Sequence, residues 1–457
     1  MSDPLTFVGD NLDRFRAELY ELLRIPSISA KSEHDGDTRR TAEWLAQRLA
    51  DAGLSSELVE TAWHPIVLAE WRGAPGAPTV LIYGHYDVQP PEPLDEWDSP
   101  PFEPTVRDGR LYGRGTADDK GQLYMHVKAL EAWLQTTGSL PVNVVVVAEG
   151  EEEVGSPSFG AFLETHRERL DCDVVVISDT GMFAEDLPSL GFSLRGLAYF
   201  EIHVTGAKSD LHSGEYGGAV ANPGNVLGRI IASLHGPDGK VAVEGFYDDV
   251  LDWDDETRAQ IRALPHDDRA YRAELGVDTL TGEAGYDTLE RLWIRPTCDV
   301  NGILCGYTGE GAKTVLPNRA MAKVSFRLVP DQTPAKVREL FEKHVARVAP
   351  KGVRVEVKEL HGGRPWRAKI EGPAFEAAAE ALEETFGRRP VLMGGGGSIP
   401  IVPEMEQRLG ATALLVGFSL PGCNLHAPNE WLPVAHFEKG IETLVRLYGK
   451  LRDVPTG

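Results

Sequence analysis

Three short apolar runs in the first part of the chain each end on side chains that bind cations. Thr79-Val-Leu-Ile-Tyr83 runs into Gly84-His85-Tyr86-Asp87, Val142 to Ala148 into Glu149-Gly-Glu-Glu-Glu153, and Asp173-Val-Val-Val-Ile177 into Ser178-Asp179. Uninterrupted apolar runs of this length belong to strands covered on both faces, the condition of a mostly parallel sheet between helices. Helical spacing flanks them, over Leu12 to Leu23, Thr41 to Ala52, and at Leu123, Val127, Leu130 and Leu134. In open α/β sheets the loops leaving the C-terminal strand ends converge, and ligands bind there. Three endings of metal-ligand type in one such domain predict a shared site.

From about Gly191 the pattern changes to alternating strands (Leu197 to Thr205, Ala320 to Val329, Val353 to Leu360), with helices at Pro223 to Leu234 and Pro334 to Ala349. The first pattern resumes with a helix over Pro373 to Phe386, an apolar run Thr412 to Val416 and a helix His436 to Leu451. The fold class expected is therefore α/β, a metal-binding domain with a mostly parallel central sheet flanked by helices (1–190 and 367–457), interrupted by an inserted α+β domain (191–366). The acidic stretch Tyr247 to Glu256 is expected to be a solvated helix face.

Charge and cysteine usage narrow the function classes. With 46 Lys and Arg against 70 Asp and Glu, the formal charge of -24 repels phosphate backbones and anionic lipid, so nucleic acid and membrane are not expected partners. Met1 to Leu23 mixes Asp10, Asp13, Arg14, Arg16 and Glu18 into its apolar residues, and neither a signal peptide nor a membrane span is expected. Cys172, Cys298, Cys305 and Cys423 form no CxxC pair, which suits a reducing compartment, and the expected location is the cytoplasm.

Between the first two runs lies Gly113-Arg-Gly-Thr-Ala-Asp118-Asp119-Lys120-Gly121, ahead of the Leu123 helix. Asp118 or Asp119 suits an N-cap, but the flanking glycines let backbone approach a ligand closely, which a cap does not require. Glu151, Glu152 and Glu153 repel one another unless solvent or cations relieve them. Beside His85, Asp179 and an Asp of the Gly113 loop, a divalent cation does so. Oxygen and imidazole ligands without thiolate suit Zn, Mn or Co, and five or six of them exceed one tetrahedral site, so two ions sharing a bridging carboxylate is the economical arrangement. No HExxH, GxSxG or GxGxxG is present, and Gly306 to Thr314 departs from P-loop spacing at Ala312.

Taken in order, Tyr83-Gly-His-Tyr-Asp-Val-Gln-Pro90, Tyr112 to Gly121, Glu149-Gly-Glu-Glu-Glu-Val-Gly-Ser156, Ile177-Ser-Asp179, Asp210-Leu-His-Ser-Gly214, Ala312 to Pro317, Phe326-Arg-Leu-Val-Pro330, Gly396-Gly-Ser-Ile-Pro400 and His426 resemble the M20 family of co-catalytic metallopeptidases. The resemblance runs nearly end to end and is greatest to the dipeptidase branch of cytosolic nonspecific dipeptidases and carnosinases. It implies a homodimer with two divalent ions per subunit (Zn or Mn, with Co possible) acting on small peptides with a free C-terminal carboxylate. His85 and Asp179 would hold one ion, Glu153 and His426 the other, and Asp118 both, with Asp87 orienting His85. Glu152 would be the general base on a metal-bridging water. His212, from the partner subunit's inserted dimerisation (lid) domain, would stabilise the oxyanion, with Thr314 beside it. Arg327, His361 and Ser398 would hold the substrate carboxylate. Within the same family the metal set also serves N-acyl-amino-acid deacylases and metallocarboxypeptidases. A non-catalytic metal-binding scaffold is the reading from another class, and the spare Glu152 argues against it. One departure stands out: the loop reads Met393-Gly-Gly-Gly-Gly397 where this branch usually carries an Arg-Glu pair.

Overall fold

The computed structural model of the chain describes residues 3–397 and 399–456, so Ser398, one of the expected substrate contacts, lies outside the described residues. The chain divides into two compact units: Met1–Phe192 with Ala368–Met393 and Glu404–Gly457, and Ser193–Arg367 with Gly394–Pro403. The sequence pattern places Gly394–Pro403 in the first unit, whereas its backbone belongs to the second. There the Arg195 N–H donates to the Gly395 carbonyl at 3.1 Å and its Nε to the Gly396 carbonyl at 3.0 Å.

In the first unit the sheet order runs Ser55–Val59, Ile66–Trp71, Asn143–Glu149, Thr79–His85, Val174–Ile177, Thr412–Leu415 and Ser189–Leu194. The four strands from Asn143–Glu149 to Thr412–Leu415 are parallel, and antiparallel strands flank them on both sides. Their apolar residues, Val80 to Ile82, Val144 to Val147 and Val174 to Ile177, are buried, as strands between helix layers require. Register aligns the strand ends: His85 pairs with Glu149, and Tyr83 and Leu415 both pair with Ile177. The three cation-binding endings thus leave one edge of one sheet side by side.

The helices that cover this sheet are specified locally. Pro4–Leu23 begins on Asp3, whose carboxylate accepts the Leu5 and Thr6 N–H groups at 3.2 and 3.3 Å, with Pro4 in the first helical position where its missing N–H costs nothing. Lys120–Thr137 is nearly all buried and ends on Gly138 in the left-handed region. Its first residue, buried Lys120, donates through Nζ to the Ile25 and Leu22 carbonyls at 2.6 and 3.3 Å, satisfying groups orphaned at the end of the N-terminal helix. Farther along, His126 joins three elements: its Nε2 lies 2.8 Å from Ser178 Oγ, next to Asp179, and its Nδ1 lies 2.5 Å from the hydroxyl of Tyr448 on the helix Val434–Leu451. No helix among the described residues is long and apolar enough to cross a membrane.

The second unit holds a four-stranded antiparallel sheet in the order Thr297–Cys305, Arg319–Leu328, Gly196–Thr205, Arg354–Gly363. Strict alternation splits its faces: Ala198, Phe200, Ile202, Val324 and Phe326 point into a core shared with Val226 and Phe341 of the helices Pro223–Ala232 and Pro334–Val348, and the opposite face is half-buried. The acidic stretch corrects one expectation. Residues 247–254 are turn and coil, and helix begins only at Asp255, because Asp254 caps it by accepting the Thr257 N–H at 2.7 Å. Asp favours caps and turns over helix interiors.

Burial holds His126 neutral, with a pKa pushed down to about 3 from an ordinary 6.5. Between those values the unfolded chain binds the extra proton, so stability is complete above about pH 6.5 and is lost as pH falls, at up to about 1.4 kcal/mol per pH unit from this one group. Urea unfolding of metal-free protein across that window measures the slope. His126→Gln should flatten it, and an unchanged slope would assign the loss to other groups.

Candidate metal centre

The strand ends and two loops bring the five expected metal ligands together in the first unit. His85, the last residue of its strand, is fully buried, with Nδ1 3.0 Å from the Asp87 carbonyl and 3.4 Å from Asp87 Oδ1. Its Nε2 lies 3.0 Å from Asp118 Oδ1 and 3.9 Å from Asp179 Oδ2. From the other side His426 Nε2 lies 2.9 Å from Asp118 Oδ2 and 3.3 Å from Glu153 Oε2. Each oxygen of Asp118 therefore faces a different imidazole. Two triads result, His85, Asp118 and Asp179, and Asp118, Glu153 and His426, with the ligand atoms of each within 4.8 Å of one another.

Supporting hydrogen bonds separate the roles of neighbouring carboxylates that look equivalent in sequence. Glu151 is turned away: it accepts the His64 N–H at 2.8 Å, the Ser158 N–H at 3.0 Å, and the Ser158 and Thr61 hydroxyls at 3.0 and 3.1 Å. Glu153 faces Asp118 and His426, and Gln89 Nε2 donates to its Oε2 at 2.8 Å. Between them, Glu152 is pushed up to about 7, by burial first, with His85 opposing and Glu153, Asp87 and Asp118 adding to the rise. Asp87 has two duties. Its carbonyl meets His85, while its carboxylate accepts the Ser29 hydroxyl at 2.6 Å and the Glu153 and Glu152 N–H groups at 3.1 and 3.3 Å. Asp119 stands at the start of its helix without capping it. Its Oδ2 accepts the His85 N–H at 3.2 Å instead.

Sequence alone does not mark Ser29 as a site residue, nor does it separate Glu149 and Glu151 from the ligands of their cluster. Glu149 accepts the Tyr83 hydroxyl at 2.5 Å and the Ser156 hydroxyl at 2.9 Å, tying both ends of the glutamate loop, and burial pushes it up to about 8. Ser29 lies far from any motif, so only its contact with Asp87 marks it. Glu149 carried a signal in closing a buried apolar strand, since an acidic side chain there must find a partner.

The residue set fits divalent cations. Burial opposes the charge of Asp118, yet hydrogen bonds from His426 and His85 hold its carboxyl well below the usual range. In turn Asp118, followed by Glu153, pushes His426 up to about 10, and despite burial Asp118 and Asp87 raise His85 well above its ordinary value. Asp179 is raised by burial and by Asp118. Protons and carboxylates are thus sharing a space whose nitrogen and oxygen donors, free of thiolate, suit Zn, Mn or Co, and Asp118 presents one oxygen to each triad as a bridging carboxylate does.

The second unit carries the remaining expected residues in two groups. His212 and Thr314 meet on a two-stranded ribbon in which Leu211–His212 pairs with Val315–Leu316 and the Ser213 N–H donates to the Thr314 carbonyl at 3.1 Å. Both are exposed, and His212 Nδ1 accepts the Gly214 N–H at 3.0 Å. Arg327 pairs across the sheet with Leu197, while His361 sets its ring edge-on to Tyr199 at 5.2 Å. Two of the glycines ahead of residue 398 are crowded: a Cβ on Gly394 would fall 2.4 Å from Trp293 Cβ, and one on Gly395 would fall 2.5 Å from Leu194 Cδ2.

An α/β sheet edge holding two imidazole and carboxylate triads around a shared aspartate defines a dinuclear metallohydrolase type of centre. Residues 81–450 match the model of peptidase family M20/M25/M40, and the chain belongs to that family as an M20-type metallopeptidase. It is 31% identical to the Cys-Gly metallodipeptidase dug1 of Schizosaccharomyces pombe, over 97% of this chain and 96% of that one. It is 30% identical to the Beta-Ala-His dipeptidase of Homo sapiens, over 91% of this chain and 82% of that one. Among solved structures, the M20 family metallo-carboxypeptidase Sso-CP2 from Sulfolobus solfataricus superposes with a TM-score of 0.87 at 33% identity, covering 96% of this chain and 99% of that chain.

Neighbouring carboxylates favour the protonated form of both imidazoles, so metal binding competes with protons. Titrating Zn²⁺ into metal-free protein near pH 7 should release protons, and affinity should climb with pH. Calorimetry in buffers of different ionisation enthalpy reads the release directly. Binding without proton release would mean that the imidazoles are not ligands.

Proposed function

We propose that the protein hydrolyses the peptide bond of dipeptides bearing a free C-terminal carboxylate, working in the cytoplasm as a homodimer with two divalent ions, Zn or Mn, in each subunit. Asp118, with one oxygen toward each of two triads, is the observation that carries this reading. In it, His85 and Asp179 hold one ion, Glu153 and His426 the other, and Asp118 both. Ions held there supply Lewis acidity and acidify water. Everything else falls to the chain. Glu152, half-buried beside the triads yet outside them, takes the proton of the attacking water on its carboxylate and returns it to the leaving amine. Asp87 fixes the His85 ring through its carbonyl and the base through the Glu152 N–H.

Substrate contacts come from the second unit in this reading. His212 of the partner subunit donates to the developing oxyanion, and its geometry favours that use. With Nδ1 occupied as an acceptor, the ring's proton sits on Nε2 of an exposed side chain. Thr314 lies beside it. Arg327, His361 and Ser398 take the substrate carboxylate. Arg195 adds to their positive field: burial and the Arg327 charge push it down to about 10, with Asp299 opposing. Association of two subunits is supported by the edge strand Thr297–Cys305, which leaves Ile303 and Leu304 62% and 64% exposed.

The likeness to a metallo-carboxypeptidase at 33% identity favours a second reading, release of a C-terminal residue from a longer or N-blocked substrate. Rates on a dipeptide, its N-acetyl form and its C-terminal amide separate the two. The leading reading expects turnover of the free dipeptide alone, and turnover of the N-acetyl form favours the second. Glu152→Gln should keep both ions while kcat falls by roughly 10²- to 10⁴-fold. Normal turnover by that variant would place the base elsewhere.

A further inference from the structure

We propose that Glu430 is a positioning residue that sets the Asp118 bridge and the His426 loop against each other, so that the ion position made by Asp118, Glu153 and His426 depends on its carboxylate. The proposal rests on reading those three residues as a metal position.

Glu430 has no exposed surface, and four donors converge on it. One oxygen accepts the Ala117 and Asp118 N–H groups at 2.9 and 3.2 Å, and the other accepts the Gly115 N–H at 3.0 Å and Arg114 Nη1 at 2.7 Å. Its own carbonyl accepts the Gly113 N–H at 3.0 Å. One residue therefore grips the 113–118 loop at both ends, including the amide of Asp118 itself. As a contribution to stability alone this is an uneconomical arrangement, because desolvating an ion pair can cost as much as its attraction returns. What no apolar replacement supplies is an acceptor that fixes the Gly115, Ala117 and Asp118 amides beneath a ligand.

The same residue ends the loop that carries His426. Asn424, His426 and Asn429 all lie in the left-handed region, at φ 56°, 61° and 59°, a conformation that non-glycine residues keep only when their surroundings impose it. The anchors lie at the loop's far end. Asn429 Oδ1 accepts the Asp98 N–H at 2.9 Å, its Nδ2 donates to the Glu96 carbonyl at 3.0 Å, and Trp431–Pro433 pairs with Arg110–Tyr112 directly after Glu430. His426 itself is 56% exposed in its side chain, so core packing does not place it. His85 and Asp179 are fixed by other means: both follow buried strands, His85 meets Asp87, and His126 holds Ser178 beside Asp179. Losing Glu430 should therefore weaken one position far more than the other.

Glu430→Gln keeps the shape but turns half of the acceptor into a donor that faces donors. Zn²⁺ titrated into metal-free protein against a competing chelator should show two ions bound by the wild type. The variant should keep one ion at near wild-type affinity and bind the second at least ~10-fold more weakly, the usual scale for a residue behind a ligand. The melting temperature of the metal-free forms is read in parallel, because a general loss of stability would weaken both positions together. Equal weakening of both ions, or wild-type affinity at both, overturns the proposal. If the Gln variant does not fold, Glu430→Asp replaces it. That side chain keeps its charge toward Arg114 but reaches fewer amides, and selective weakening of one ion is again the expected result. His426→Ala serves as the control: if it removes no ion, the reading of the metal position has failed, whatever the Glu430 variants do.

Discussion

The structure depends on a repulsion that it does not allow to relax. Asp87, Asp118, Asp119, Glu149, Glu152, Glu153 and Asp179 crowd one edge of a sheet, mostly buried, where charges of one sign interact far more strongly than in water. What holds them there is the apolar sheet behind them. Val144 to Val147, Ile82 and Val174 to Ile177 are fully packed, so a strand cannot retreat to spread its terminal carboxylate without breaking both its ladder and its core contacts. Protonated His85 and His426 are a partial remedy, and cations a fuller one.

A second tier of buried polar groups distributes that load. Glu149 and Tyr83, Glu151 and Ser158, Asp87 and Ser29, and Glu430 and Arg114 each join a loop of the edge to something that cannot move. Every one of these carboxylates accepts two or more hydrogen bonds, which is why they can be buried at all. Together they convert three strand ends and two loops from distant parts of the chain into one rigid surface. Preorganisation of this kind matters for hydrolysis, since a general base and its ligand neighbours act only when held within a fraction of an ångström.

Much of this architecture is written locally and can be read from the chain. The parallel strands announce themselves as unbroken Val and Ile runs, and ligands fall at their ends, so His85 and Asp179 needed only the rule for strand edges, whereas Glu153 is told from Glu151 and Glu152 only by the ordered motifs. Asp118 and His426 are different. Neither follows a core strand, and only the ordered set of motifs shared with the M20 family singles them out. The short strands Ser55–Val59 and Ile66–Trp71 escaped periodicity, because half-exposed residues dilute the first and the second resembles any buried run. Residues such as Ser29 and Glu430 are illegible in principle from one sequence: their meaning lies in partners 58 and 316 residues away. The acidic stretch before Asp255 shows the opposite failure, where charge pattern indicated a helix and the side-chain chemistry of Asp favoured turns.

The formal charge of -24 also takes on a different meaning once the side chains are placed. Part of it belongs to the buried edge and vanishes as an external field when cations occupy the triads. Much of the remainder is on exposed helices and turns, where pairs such as Arg39 with Glu60 and Arg389 with Glu376 contribute little to stability. Against that acidic exterior the half-buried sheet face of the second unit carries Arg195 and Arg327, and the four-glycine loop beside Arg195 adds no charge of its own. Trp293 and Leu194 occupy the space that side chains at 394 and 395 would need. Burial pushes both guanidinium groups down, the Arg327 charge adds to the fall at Arg195, and the Asp299 carboxylate opposes it at both.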